Sequence, residues 1–153
     1  MKTLLLILAL IGILNAQDGV KKVVYDLTTG DVKTLEKRLL SGIAFQKAHY
    51  ESKFEELEVA VVIHGDSYKF FVKDLAKSSF KGDKNLAVAH AGLSKRIATM
   101  SDTYNVEFLM CGVGMKNHKI DKADIFDFVK VVPNSTIGLI DKQDEGFAYI
   151  PMK

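Results

Sequence analysis

The sequence predicts one α/β domain: three layers, α/β/α, around a mainly parallel sheet of five strands. Three observations carry this. Short apolar runs alternate with stretches of helical periodicity along the chain. The runs are continuously apolar, as in strands buried on both faces of a parallel sheet. The length, 153 residues, suits one domain and is short for two. No internal repeat, low-complexity tract or linker interrupts the pattern.

The elements follow in order. Val23, Val24, Tyr25 and Leu27 form a first strand, and Thr28-Thr29-Gly30 a turn. Asp31 caps a helix over roughly 32–50, where Leu35, Leu39, Leu40 and Ile43 share a face. Val59 to Ile63 is the second strand, ended by His64-Gly65-Asp66. Residues 68–77 read as a short helix, followed by a polar loop with Gly82-Asp83. A long helix covers about 84–102, with Leu86, Ala89, Leu93, Ile97 and Met100 on one side. "NVEFLMCGVG" is the third strand, leading into a glycine turn. A loop and short helix follow, with Asp121 as N-cap. Residues 129–133 are the fourth strand, stopped by Pro133. A helix capped by Asn134 or Ser135 ends at Gly146, and 147–151 is the fifth strand.

The N-terminus departs from this pattern. Lys2 precedes an apolar run from Leu4 to Leu14 and then Asn15-Ala16. A span needs about 20 apolar residues, so the run is too short for one. It reads as a secretory signal peptide, 1–16, cleaved after Ala16, with the domain over 17–153; Leu14 at the −3 position, where a small residue is preferred, leaves an uncleaved anchor as the alternative. The implied location is periplasmic, and membrane contact is limited to export. Net charge is +2 with acidic and basic residues interspersed, which is no nucleic-acid footprint.

Ligands of open parallel sheets bind beyond the carboxyl ends of the strands. That rule selects Asp26 to Gly30, His64 to Tyr68, and Cys111-Gly112-Val113-Gly114 with Asn117 and His118. Cys111 is the sole cysteine, so it has no partner for a bridge within the chain. Two readings stand: a thiol activated by a helix N-terminus, or a small buried residue. Lys116 or His118 would add positive charge, and Gly112 and Gly114 would leave sulfur and amides accessible. His64 either tunes Cys111 or orients a substrate, or is a strand-end residue bonded to a loop. Gly65 lies at the same edge. His118 sits among lysines, where solvation alone accounts for it. No C-x-x-C, H-E-x-x-H, complete G-x-G-x-x-G, P-loop or G-x-S-x-G is present, so no metal or cofactor is expected.

Taken together, "DLTTGD", "VVIHGDSYKFF", "VEFLMCGVGM" and "GLIDKQDEGFAYIP" resemble the DsrE/DsrF-like sulfur-relay proteins, closest to exported, single-cysteine members. The likeness spans about 20–152. It implies an α/β/α domain that assembles into a homo-oligomer, a dimer, trimer or hexamer. It also implies a cysteine that takes sulfur as a persulfide and passes it between donor and acceptor proteins. Here that cysteine is Cys111. The alternatives are a non-catalytic oligomeric module that binds a small ligand or partner, and a redox-sensing thiol protein.

Overall fold

The computed structural model describes residues 20–153; the signal-peptide reading of 1–16 lies outside the described residues. Five strands, β1 (Val20–Leu27), β2 (Glu56–Ile63), β3 (Val106–Cys111), β4 (Val129–Val132) and β5 (Ala148–Met152), form one sheet in the order β4-β3-β2-β1-β5. Every adjacent pair is parallel. The expected fold class is the observed one.

Handedness fixes the layers. From β1 to β4 the chain steps one way across the sheet, and right-handed crossovers keep its connections on one face. The return from β4 to β5 puts its helix on the other face. The first face therefore carries α1 (Val32–Thr34), a π-helical stretch (Leu35–Leu40) and α2 (Ser41–Glu51), which run on as one rod, and α3 (Lys84–Asp102). Among the described residues the second carries α5 (Ser135–Asp144) alone; the short α4 (Gly112–Asn117) leaves β3 on the first side.

Alternation along each strand sorts the core accordingly. Val23, Tyr25 and Leu27 of β1, Val59, Val61 and Ile63 of β2, and Phe108 and Met110 of β3 pack with Leu35, Leu39, Ile43, Leu93 and Ile97 from the helices. Val24, Ala60, Val62 and Leu109 form the smaller core on the other face, with Phe147 and, from α5, Leu139. Burying a side chain of this size stabilises by about 1.5–3 kcal/mol, so the larger cluster dominates.

Three expectations are corrected. Residues 68–77 are not one helix but two 3₁₀ turns, Ser67–Phe70 and Leu75–Lys77, with Val72 bridging antiparallel to Ile125 between them. Lys69, Lys73 and Lys77 do recur at helical spacing, but the Lys73 N–H donates to the Asp124 carbonyl at 2.7 Å, the Phe71 carbonyl accepts from the Phe126 N–H, and Asp74 caps a new turn, so the backbone bonds leave the segment. The helix predicted over 32–50 widens into π geometry at Leu35–Leu40. The glycine turn after Cys111 is already helical, because α4 starts at Gly112. The predicted caps hold: Asp31 accepts from the Thr34 N–H at 2.6 Å, Asn134 from the Ile137 N–H at 2.9 Å, and Asp121 forms a reciprocal box with Asp124. Gly146, at φ +90°, follows α5 as expected.

Candidate functional site

The two faces define where a ligand belongs. β3 delivers its chain to α4 on one side of the sheet, and β4 delivers its chain to α5 on the other. A crevice opens where neighbouring strands part in this way. Cys111 is the last residue of β3, paired with Val132, the last of β4. The thiol therefore stands at the switch point of the sheet.

Cys111 occupies the N-cap position of α4, with φ −65° and ψ 115°. The thiol makes no capping hydrogen bond. Burial pushes its pKa up, but the backbone N–H of Gly114, the Tyr68 hydroxyl, and the N–H groups of Ser135 and Val113 outweigh burial and hold it below the ordinary cysteine value. These donors come from two helix starts and one turn, and all favour a sulfur anion over a neutral thiol. The residue is 6% exposed, so its sulfur is shielded by the same groups that would stabilise it.

Tyr68 lies in the stretch that the strand-end rule selects, but nothing in the sequence assigns it a role toward Cys111. Its hydroxyl donates to the Cys111 carbonyl at 3.0 Å. Burial, and then the neighbouring cysteine, push its phenol well above the ordinary tyrosine value, so it stays a donor. Gly114 makes room for it: a Cβ there would stand 1.8 Å from the Tyr68 oxygen. Gly114 thus contributes an amide and an absence of side chain. Gly112, the first residue of α4, lies against Val131, Val132 and Pro133.

The other residues selected from the sequence go elsewhere. α4 carries Lys116 to the exposed surface. His118, one residue beyond the helix, packs against Tyr68 and Phe80, at ring-centroid distances of 5.0 and 5.2 Å. It lines a cleft of about 900 Å³ together with Thr28, Gly30, Asp66, Lys69 and Phe80, which does not include Cys111. Gly65 is a turn residue at φ +62°, tight against Thr28, and serves the backbone.

His64 belongs to a second cluster. Its Nε2 pairs with Asp26 Oδ1, and the other Asp26 oxygen accepts from the Tyr149 hydroxyl at 2.6 Å. This carboxylate neighbour raises the Tyr149 phenol. No hydrogen bond joins His64 to Cys111 among the described residues. Yet β2 and β3 pair Ile63 with Met110, so His64 and Cys111 are the next residues out on adjacent strands. Val62, two residues before His64, belongs to the core under α5, whereas Cys111 packs in the larger cluster with Tyr68 and Met115. Asp26 was signalled by a charge inside the apolar run "VVYDL", whereas Tyr149 becomes its partner only through the pairing of β1 with β5.

Known proteins resemble this chain in sequence and in fold. An uncharacterized protein of Aquifex aeolicus (strain VF5) is 30% identical over 133 residues, 85% of this chain and 55% of that protein. The chain thus spans about half the length of this relative. A solved structure of a protein of unknown function from Methanobacterium thermoautotrophicum superposes with a TM-score of 0.59 at 19% identity, covering 86% of this chain and 98% of that one. At that identity the likeness is one of fold. The model of the DsrE/DsrF-like family matches residues 21–152, the whole of the sheet but its first residue and all of its helices, and the chain belongs to that family.

Proposed function

We propose that the protein is a persulfide carrier whose sulfur-bearing residue is Cys111. The observation that carries the reading is the place of Cys111: the last residue of β3 and the N-cap of α4, paired with the last residue of β4 at the switch point of the sheet. In the loading step, the Cys111 thiolate attacks the outer sulfur of a sulfane-sulfur donor. A new S–S bond forms, and the donor's own S–S bond breaks with its electron pair on the leaving group. With thiosulfate the leaving group is sulfite. The hydrogen-bond donors around the sulfur are fixed before reaction, so stabilising the anion costs little reorganisation. With Cys111 only 6% exposed, the reading favours small donors.

The setting we propose is the periplasm of a bacterium, supported by the basic and apolar N-terminal segment. A small homo-oligomer is the assembly we propose with it, as the family likeness implies. Light scattering on the purified protein tests the latter.

The decisive experiment is the intact mass after incubation with thiosulfate or polysulfide. A gain of one sulfur atom, absent in Cys111→Ala, is expected. Failure to load from several donors removes the reading. One observation favours the alternative of a non-catalytic binding module: the large cleft beside His118 excludes Cys111. Alkylation of Cys111 only after unfolding would put that module in place of the carrier.

A further inference from the structure

Among the described residues Asp26 is the one buried charged side chain, 8% exposed at the carboxyl end of β1. The fold has little need of it. An apolar residue of similar size in a core is generally neutral or better for stability than a buried ionic group. Among the described residues no lysine or arginine pairs with Asp26; its partners are His64 and Tyr149. Both carboxylate oxygens are thus committed, one to each ring. A carboxylate accepts, so the imidazole presents N–H at Nε2 and leaves Nδ1 as the free lone pair. His64 keeps 27% of its side chain exposed, next to the strand that ends in Cys111.

Cys111 has no use for this base, because amides and Tyr68 already favour its anion. Delivery of sulfur, however, has a second proton to move. We propose that His64 takes the proton of the acceptor thiol, with Asp26 and Tyr149 as positioning residues that fix its ring and tautomer. This rests on the carrier reading above. The step balances as follows. The acceptor R–SH gives its proton to His64 Nδ1. The resulting thiolate attacks the outer sulfur of Cys111–S–SH, forming R–S–SH. The original S–S bond breaks and its electron pair stays on Cys111, which departs as a thiolate among the amides. His64 returns the proton to water, and no oxidant or reductant is consumed. Backbone donors thus serve the sulfur that stays, and the side-chain cluster serves the sulfur that arrives.

The test uses the whole protein, loaded with polysulfide and freed of excess reagent. Loss of sulfur from Cys111 is followed by intact mass with two acceptors: glutathione, which must give up a proton, and sulfite, which attacks as an anion. General-base help contributes typically 10²–10⁴-fold, so the ratio of glutathione rate to sulfite rate falls by about 10-fold or more in His64→Gln. Asp26→Asn and Tyr149→Phe lower the ratio by smaller factors. Tyr149 is 44% exposed, so Tyr149→Phe keeps the test alive if a substitution at His64 or Asp26 prevents folding. An unchanged ratio in every variant that folds overturns the proposal, as does equal slowing with both acceptors, the mark of a merely structural role. A wild-type protein that never loads sulfur removes the carrier reading itself, and this step with it.

Discussion

The ends of β3 and β2 solve one problem in two ways. At Cys111 a negative charge is favoured by backbone N–H groups and one hydroxyl, none of which titrates in the working range. At His64 the neighbouring charge is a carboxylate, held by two side chains from other strands. The first arrangement is mostly backbone, with Tyr68 as its one removable side chain. The second is made of three side chains, each removable alone. What can be disrupted, and how strongly, differs accordingly.

The largest effect is expected at Gly114. A methyl there meets the Tyr68 oxygen at 1.8 Å, and Tyr68 is 2% exposed with nowhere to withdraw. Gly114→Ala should cost about 3 kcal/mol, the upper end of ordinary overpacking. Urea denaturation measures it; a loss under about 0.5 kcal/mol would mean that Tyr68 does not hold this position.

Next comes Tyr68→Phe. It strips the hydroxyl from a buried carbonyl, at a cost of about 1–3 kcal/mol. It also removes one donor from the thiol, so the midpoint of Cys111 alkylation against pH should rise. Unchanged alkylation would show that the amides act alone.

Asp26→Asn is expected to cost about 1.5 kcal/mol, the low end for hydrogen bonds to a charged group, since the amide still fits. Stabilisation instead of loss would sharpen the comparison: the carboxylate would then be kept for chemistry at the expense of the fold.

The smallest effect is on the pH dependence of stability. The folded Cys111 titrates below its unfolded value of about 8.5. Its stabilising contribution is therefore complete above that pH and is lost as pH falls through the lower, folded value. Cys111→Ser should flatten this part of the curve. A wild-type curve that does not rise there, relative to the variant, would mean a thiol that ionises no more easily when folded.

Much of this was legible. The strands announced themselves as apolar runs, and a cysteine just after one of them falls at the carboxyl edge of any parallel sheet. The corner around Cys111 was less so. α4 starts with Gly-Val-Gly, residues poor in helix propensity, and is held by its docking against Tyr68 and the β4 end. Lys116 and His118 are near Cys111 in sequence, but that helix turns them away, one to the surface and one to the cleft. In "YKFFVKDLAK" Lys69, Lys73 and Lys77 imitate a helix by their spacing, while the backbone around Val72 is bonded to the segment around Ile125, which no local pattern announces. The Asp26–Tyr149 bond was beyond reach, because nothing local states which strand will lie beside β1.

That last pairing has a consequence for how the chain folds. The bond between Tyr149 and Asp26 closes over 123 residues, and β5 covers the side of β1 that would otherwise be an open edge. Contacts so distant along the chain form late, after the local units have collapsed. Until then β1 is an edge strand of four buried apolar residues and one inward carboxylate. A charge pointing inward on an edge strand discourages a stray strand from adding there. Asp26, which the finished fold can spare, thus keeps the open side of β1 from accepting a stray strand until β5 closes that edge.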